Sequence, residues 1–451
     1  MAGGFVVRET DYPWTRRLLW LYFWLLIFEG ALRKWFVPSL ATPLLLVRDP
    51  IALAILVSGI MSGTLKRTIA FYLWIGVSVL LLLAAIAVIP NQIPVIVYGF
   101  KCNILHVPIV FIGAEVLRKR DFEAFLRWTL VLAIPMAILM VFQFRSPAHS
   151  WVNSGMDDTF KQIGSAQGHV RAAGTFSFIA GPIMFFSLVA AFWLGAFFDG
   201  RPENKVLMIS VGIALLIACA VSGSRSLLGE VAVVFLVSFA GGMILNPKKF
   251  GAYIKALMLI LLIAAALSQS SLMQESSSVF AERISNASRN EGGFVGFVER
   301  ALADPAKAYD DAGQAPALGY GLGMGTTAAS AYLTGKGGFL LAESEWPRIV
   351  MESGPAVGLV YILFRLTLSL WLVWRSIAVA RLGKVMPLCI ASACFMSLAE
   401  GSWGQPTVLG FSVFIGGMCL AAIRDVERES RQSPPQPAVP SRPIPSFASQ
   451  V

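Results

Sequence analysis

Residues 69–89, IAFYLWIGVSVLLLLAAIAVI, run for 21 residues without one charged side chain. An α-helix rises 1.5 Å per residue, so this stretch reaches about 30 Å, the thickness of a bilayer's hydrocarbon core. It therefore reads as a transmembrane helix. Comparable apolar runs fall at 18–31, 43–60, 93–117, 122–144, 175–197, 206–221, 227–245, 252–267, 349–374, 386–398 and 407–423. Several are shorter than the roughly 20 residues a bilayer core requires, so their boundaries are approximate. The pattern predicts an all-α, polytopic bundle of about twelve spans.

Composition agrees, with 56% hydrophobic residues, 14% charged residues and a mean hydropathy of +0.70. Too little polar surface remains to coat a soluble globule of this size, and residues 1–429 read as one integral membrane domain. The net charge of +10 is dispersed in short clusters between the apolar runs, which speaks against a nucleic-acid-binding patch. Lys and Arg concentrate in alternate loops, at Arg16/Arg17, Lys66/Arg67, Arg118/Lys119/Arg120, Lys248/Lys249 and Arg424/Arg428 among others. The positive-inside rule makes that side cytoplasmic and places both termini there. Segments 145–174, 222–226 and the long loop 269–347 then face the periplasm or the exterior.

Arg16 and Arg17 precede the first run as in a signal peptide, but no small-x-small site follows, so an uncleaved span is expected. The Pro-, Ser- and Gln-rich tail 430–451 cannot bury enough apolar area to offset ordering entropy and is expected to be disordered. The five cysteines lie in apolar runs without a CxxC pair and read as buried thiols.

Candidate chemistry lies on the outer side. Ser222-Gly223-Ser224-Arg225-Ser226 sets a guanidinium where a span leaves the membrane, with small neighbours that allow close approach of a phosphate. The structural alternative is an interfacial Arg snorkelling to lipid phosphates. Glu343-Ser344-Glu345-Trp346-Pro347-Arg348 predicts a helix start, Ser344 as N-cap and Pro347 in the first turn, with Glu345, Arg348 and Glu352 along one side. A local ion pair is the alternative there. Gly319-Tyr320-Gly321-Leu322-Gly323-Met324-Gly325 lacks the Lys-Ser/Thr of a P-loop and reads as a lid or turn, preceded by Arg289 in the same loop. Asp157-Asp158 and Asp310-Asp311 are adjacent pairs without metal-ligand spacing, so neither a metal nor another cofactor is expected. Lys101 and His106 in the fourth span have the chemistry of a proton relay but read first as structural, as does the Glu29, Arg33, Lys34, Arg48 and Asp49 cluster.

Taken together, the Ser222-to-Leu228 segment, the Gly319-to-Gly323 run and the stretch from Glu345 to Gly354 resemble the O-antigen ligase and polysaccharide polymerase superfamily in order, spacing and topology. The resemblance covers roughly 174–423. It implies a GT-C-like membrane glycosyltransferase of the bacterial inner membrane, metal-independent and inverting, acting on undecaprenyl-diphosphate-linked saccharides at the periplasmic face during surface or exopolysaccharide biosynthesis. Its partners would be the lipid-linked donor, a glycan acceptor, membrane lipids and other polysaccharide export proteins. Carried onto this chain, Arg225 and Arg348 bind diphosphate, Glu345 acts as general base, and Arg171 or Arg289 adds a loop contact. Ser224, Glu343, Glu352, Gly321 and Gly323 complete the substrate site. Ligases of this family typically carry a histidine where Glu345 stands, a departure that favours a polymerase-like enzyme. A transporter or flippase of a lipid-linked or anionic substrate is the alternative, since an even number of spans and intramembrane Lys101 and His106 suit a carrier. A non-catalytic scaffold is a third reading.

Overall fold

The computed structural model describes residues 12–65, 69–155, 168–201, 203–291, 305–336 and 338–432. All regular structure among them is helical. In chain order the principal helices are α1 (Pro13–Ala31), α2 (Arg48–Met61), α3 (Ile69–Val88), α4 (Ile93–Phe100), α5 (Ile109–Val116), α6 (Lys119–Arg145), α7 (Ala180–Phe198), α8 (Lys205–Val221) and α9 (Arg225–Leu245). There follow α10 (Phe250–Ser268), α11 (Ser271–Glu291), α12 (Thr327–Thr334), α13 (Glu345–Ser353), α14 (Pro355–Arg381), α15 (Met386–Ala399) and α16 (Pro406–Gln432).

Seven of these are long and apolar enough to cross a membrane: α3, α6, α7, α9, α10 with its preceding turn, α14 and α16. An eighth is added if α4 and α5, bent by 41°, are counted as one span. The other expected spans fall on α1, with Arg16, Arg17 and Glu29, and on the shorter helices α2, α8 and α15. Burial sorts the bundle: 89% of the most apolar stretch is buried in α7 and in α16, against 28% in α9 and 17% in Pro247–Ser268. The first two are therefore the axis, and the others form a rim. On that rim Leu236, Ile244, Leu261 and Leu262 are exposed, an outward apolar surface that suits hydrocarbon better than water. These features suggest a membrane-embedded protein.

Four departures from straight helices matter for the polar residues. α1 runs into a π-helical turn, Leu32–Phe36, and α4 into another, Lys101–Leu105. Beyond the second turn comes Pro108, which offers no N–H, and there the chain bends before α5. The predicted 349–374 span is divided instead: Gly354 adopts φ 79°, a left-handed value that ends α13, and Pro355 opens α14. The expected loop 269–347 contains α11, α12 and the start of α13, and the helix of α16 continues past Ser430 to Gln432. Residues 433–451 of the expected tail lie outside the described residues. Four of the five cysteines are buried and Cys219 is half-buried.

The glycine run beside α13 is a packing element. Its Gly323 has φ 94° and lies against Gly99 of α4, where a Cβ on Gly99 would come 2.6 Å from the Gly323 nitrogen and the Leu322 carbonyl carbon. Backbone cannot yield as a side chain can, so Gly99→Ala is expected to lower the unfolding temperature of the detergent-solubilised protein by the equivalent of about 1–3 kcal/mol. Thermal unfolding of the variant checks it, and an unchanged midpoint would mean that the run does not bear on α4.

Candidate functional site: a buried ionic network

α13 is a short helix with its polar side turned inward. Glu345, Arg348 and Glu352 recur at helical spacing and are all buried, together with Ile349 and Val350. Ser344 holds the N-cap position without a side-chain cap, and its carbonyl accepts from the Arg348 N–H at 3.0 Å. Arg348 donates from Nε and Nη2 to the two oxygens of Glu345 at 3.0 and 2.9 Å, and its Nη1 lies 2.8 Å from Glu352 Oε1. The far side of Glu345 faces Arg365 of α14, whose Nη1 donates to Oε1 at 2.5 Å. Arg365 is fully buried about 15 Å along α14 from its start, and it also donates to the carbonyls of Leu398 and Gly401 at 2.8 and 2.7 Å. The Trp403 ring lies beneath its guanidinium at 3.8 Å.

Two further elements lock this arrangement. Gly321 N–H donates to the Glu352 carbonyl and Gly325 N–H to its Oε1, both at 2.9 Å, while Tyr320 N–H donates to the Met351 carbonyl at 2.8 Å. The glycine run thus caps the C-terminal end of α13, satisfying carbonyls that a helix end leaves open. From the other side Asn103, on the π-turn after α4, accepts from Arg348 Nη2 at 3.1 Å, and its own carbonyl accepts from Tyr361 Oη at 2.7 Å.

The same π-turn carries Lys101, which reaches a second cluster. Lys101 Nζ lies 3.0 Å from Asp49 Oδ2, and Asp49 Oδ1 lies 3.0 Å from His106 Nε2. His106 Nδ1 is 2.8 Å from Tyr22 Oη. An ionised carboxylate only accepts, so in the neutral ring Nε2 carries the hydrogen and Nδ1 accepts from the tyrosine. Glu29 pairs with Arg48 at 2.7 Å and with Arg33 at 3.5 Å. Among the described residues, every fully buried charged side chain belongs to one of these two clusters. The cations Arg33, Lys34, Arg48, Lys101, Arg348 and Arg365 outnumber the carboxylates Glu29, Asp49, Glu345 and Glu352 by two. A surplus of buried positive charge is costly in a protein interior and suits a place where an anion arrives.

The structure brings Glu345, Arg348, Glu352, Gly321 and Gly323 into one unit. Arg225 and Ser224 stand elsewhere, at the junction of α8 and α9, where Arg225 is half-buried in the first turn and Ser224 Oγ accepts from the Leu227 N–H at 3.3 Å as the N-cap of α9. Glu343 is exposed just before α13, and Arg171 is half-buried in the segment leading to α7. Arg289 falls on α11, with its side chain outside the described residues, as are Asp157 and Asp158. Among the described residues no group of His, Cys, Asp or Glu has the arrangement to hold a metal ion. Sequence reasoning missed Arg365, Asn103, Tyr361 and Trp403. The signal for Arg365 was present: one arginine inside an otherwise apolar 349–374 run.

No protein-family model matches the chain, and no curated protein matches it. The resemblance to the ligase and polymerase superfamily rests on the quoted motifs.

The electrostatics of Glu345 bear on its chemistry. Burial pushes its carboxyl up, but Arg348 and Arg365 more than offset this and hold it below the usual carboxylate range. A carboxylate with this folded-state shift adds stability that is fully present above its unfolded pKa and is lost as the pH falls through the lowered folded value. The stability difference between the protein and Glu345→Gln is thus expected to stay flat from about pH 8 to about pH 5 and to shrink only below that, in denaturation measured against pH. Arg365→Met leaves Glu345 with one guanidinium fewer and should cost about 3–5 kcal/mol, with part of the loss recovered in the double variant Arg365→Met/Glu345→Gln. Additive losses in that cycle would show that the pair is not coupled.

Proposed function

We propose that the chain is a GT-C-like membrane glycosyltransferase of about twelve spans that polymerises or ligates undecaprenyl-diphosphate-linked saccharide units at the periplasmic face of a bacterial inner membrane. The observation that carries the reading is the joining of two motifs twenty residues apart in sequence, the Gly319–Gly325 run and the Glu345–Gly354 stretch, by direct hydrogen bonds around Glu352. With them comes a net-cationic interior suited to a diphosphate. In such a transfer an acceptor hydroxyl attacks the anomeric carbon, and the lipid diphosphate leaves. The protein's tasks are to orient the pair and to stabilise the departing charge. Arg225, half-buried at the start of a 21-residue helix, is the arginine best placed to meet that diphosphate, with Arg171 or Arg289 as a loop contact. Glu345 is a weak proton acceptor when two guanidinium groups hold its charge, so we assign it the task of setting Arg348 and Arg365.

Both termini are placed in the cytoplasm on the distribution of Lys and Arg. In cells whose only copy carries Arg225→Ala or Arg348→Lys, short lipid-linked saccharides are expected to accumulate on the outer face at normal protein level, read by polymer length and by labelling of outward-facing intermediates. Unchanged polymer in both variants would sink the assignment.

One observation favours a second reading. The bent α4–α5 pair, with Lys101, Asn103 and His106 at its π-turn, has the form of the broken helices that carriers use for substrate. A flippase predicts accumulation on the cytoplasmic face in the same cells.

A further inference from the structure

The segment that leads into α7 lies directly on α1. The carbonyls of Gly174 and Phe176 accept from Lys34 Nζ at 2.7 and 2.8 Å, and Thr175 Oγ1 donates to the Ile27 carbonyl at 2.7 Å. At Gly30 a Cβ would come 2.5 Å from the Thr175 oxygen, so only a bare backbone admits this approach. The result is that Ser177, just before α7, sits beside Arg33 at 3.4 Å from Nη1.

Arg33 has spare capacity. It is 6% exposed, yet its Nε donates to the Ala41 carbonyl at 2.7 Å, its Nη1 reaches Glu29 only at 3.5 Å, and its Nη2 has no hydrogen-bond partner among the described residues. Glu29 is committed to Arg48 through its other oxygen at 2.7 Å. α7 is 19 residues long, with no side-chain cap and no acidic residue in its first turn, so its open N–H groups and the positive end of its dipole stand uncompensated beside this arginine. Lys34 adds a second cation, lying 4.4 Å from the centre of the Trp35 ring. Trp35 packs on Trp151, with ring centres 5.6 Å apart, and Phe36, Phe178 and Trp151 are exposed around the site. Rings of this kind collect at the level of lipid headgroups.

We propose that Arg33, Lys34, Ser177 and the first turn of α7 form a binding site for a phosphate group, that of an anionic phospholipid at the membrane surface. The guanidinium supplies Nη2, the hydroxyl and helix-start amides supply further donors, and the exposed rings flank the acyl chains. The site is separate from Arg225 and from α13, and it does not depend on the glycosyl-transfer reading.

The test uses the full chain in detergent, with thermal unfolding followed during titration with phosphatidylglycerol, with dioleoylglycerol, which lacks phosphate, and with inorganic phosphate. Phosphatidylglycerol is expected to stabilise the protein and dioleoylglycerol to do so far less. Arg33→Lys and Ser177→Ala should weaken the apparent affinity by about tenfold and a few-fold respectively, since Lys cannot present a fork. Competition by inorganic phosphate would identify the phosphate alone as the recognised group, and no competition would identify the headgroup with its chains; both agree with a phosphate site. Equal stabilisation by dioleoylglycerol overturns the proposal. So does an unaltered phosphatidylglycerol affinity in Ser177→Ala, a substitution at a half-buried position that keeps its fold even if Arg33→Lys does not.

Discussion

The polar interior of this bundle depends on one carboxylate held between two guanidinium groups. Glu345 sits on a short helix outside the bundle's long spans, Arg348 one turn further on, and Arg365 deep in the next helix. Three charges that would each be prohibitive alone become tolerable because every one has a partner of opposite sign at hydrogen-bond distance. The arrangement also fixes α13 against α14, since a helix that turned by a single residue would withdraw Glu345 from Arg365. The position of the Gly319–Gly325 run follows, because it is bound to the end of α13 and to Glu352.

A second dependence runs through the α4–α5 span. Its π-turn presents Lys101 to Asp49 and Asn103 to Arg348, so two clusters of ionisable groups share one stretch of backbone. π-Turns inside helices often mark functional positions, and here each of the two carries buried cations. Whatever moves α13 is felt by α2 through side chains that are nearly all buried, with no mobile loop needed to transmit it.

Much of the architecture was legible in the sequence because hydrophobic runs such as 69–89 leave no other solvent for their surfaces. The short segments α2, α8 and α15 mark where that logic weakens: a helix screened by neighbours needs neither the length nor the uniform apolarity of one facing lipid. The Glu345, Arg348, Glu352 face was read from helical spacing, and the structure does bring it together. Arg365 was not read, because a single arginine in an apolar run gives no hint of its partner, which lies twenty residues away on a separate helix. Nor could the sequence place Gly99 under Gly323, a contact made between two backbones with no side chain to announce it. The division of the 349–374 run at Gly354 was visible as a Gly-Pro pair, and the continuous hydrophobicity beyond it hid the break.

The π-turns have a consequence for how this chain tolerates insertion and deletion. Each accommodates one residue more than an α-helical turn of the same rise would hold. Loss of any one residue from Leu32–Phe36 or from Lys101–Leu105 would let the local backbone relax to α geometry and swing everything beyond it by about 100° about the helix axis. Such a change alters no composition and no hydropathy, and a hydrophobic helix would still form. It would nonetheless turn Arg33 and Lys34, or Asn103 and His106, out of the interior. The spacing of residues along these two helices therefore carries as much of the design as their identity.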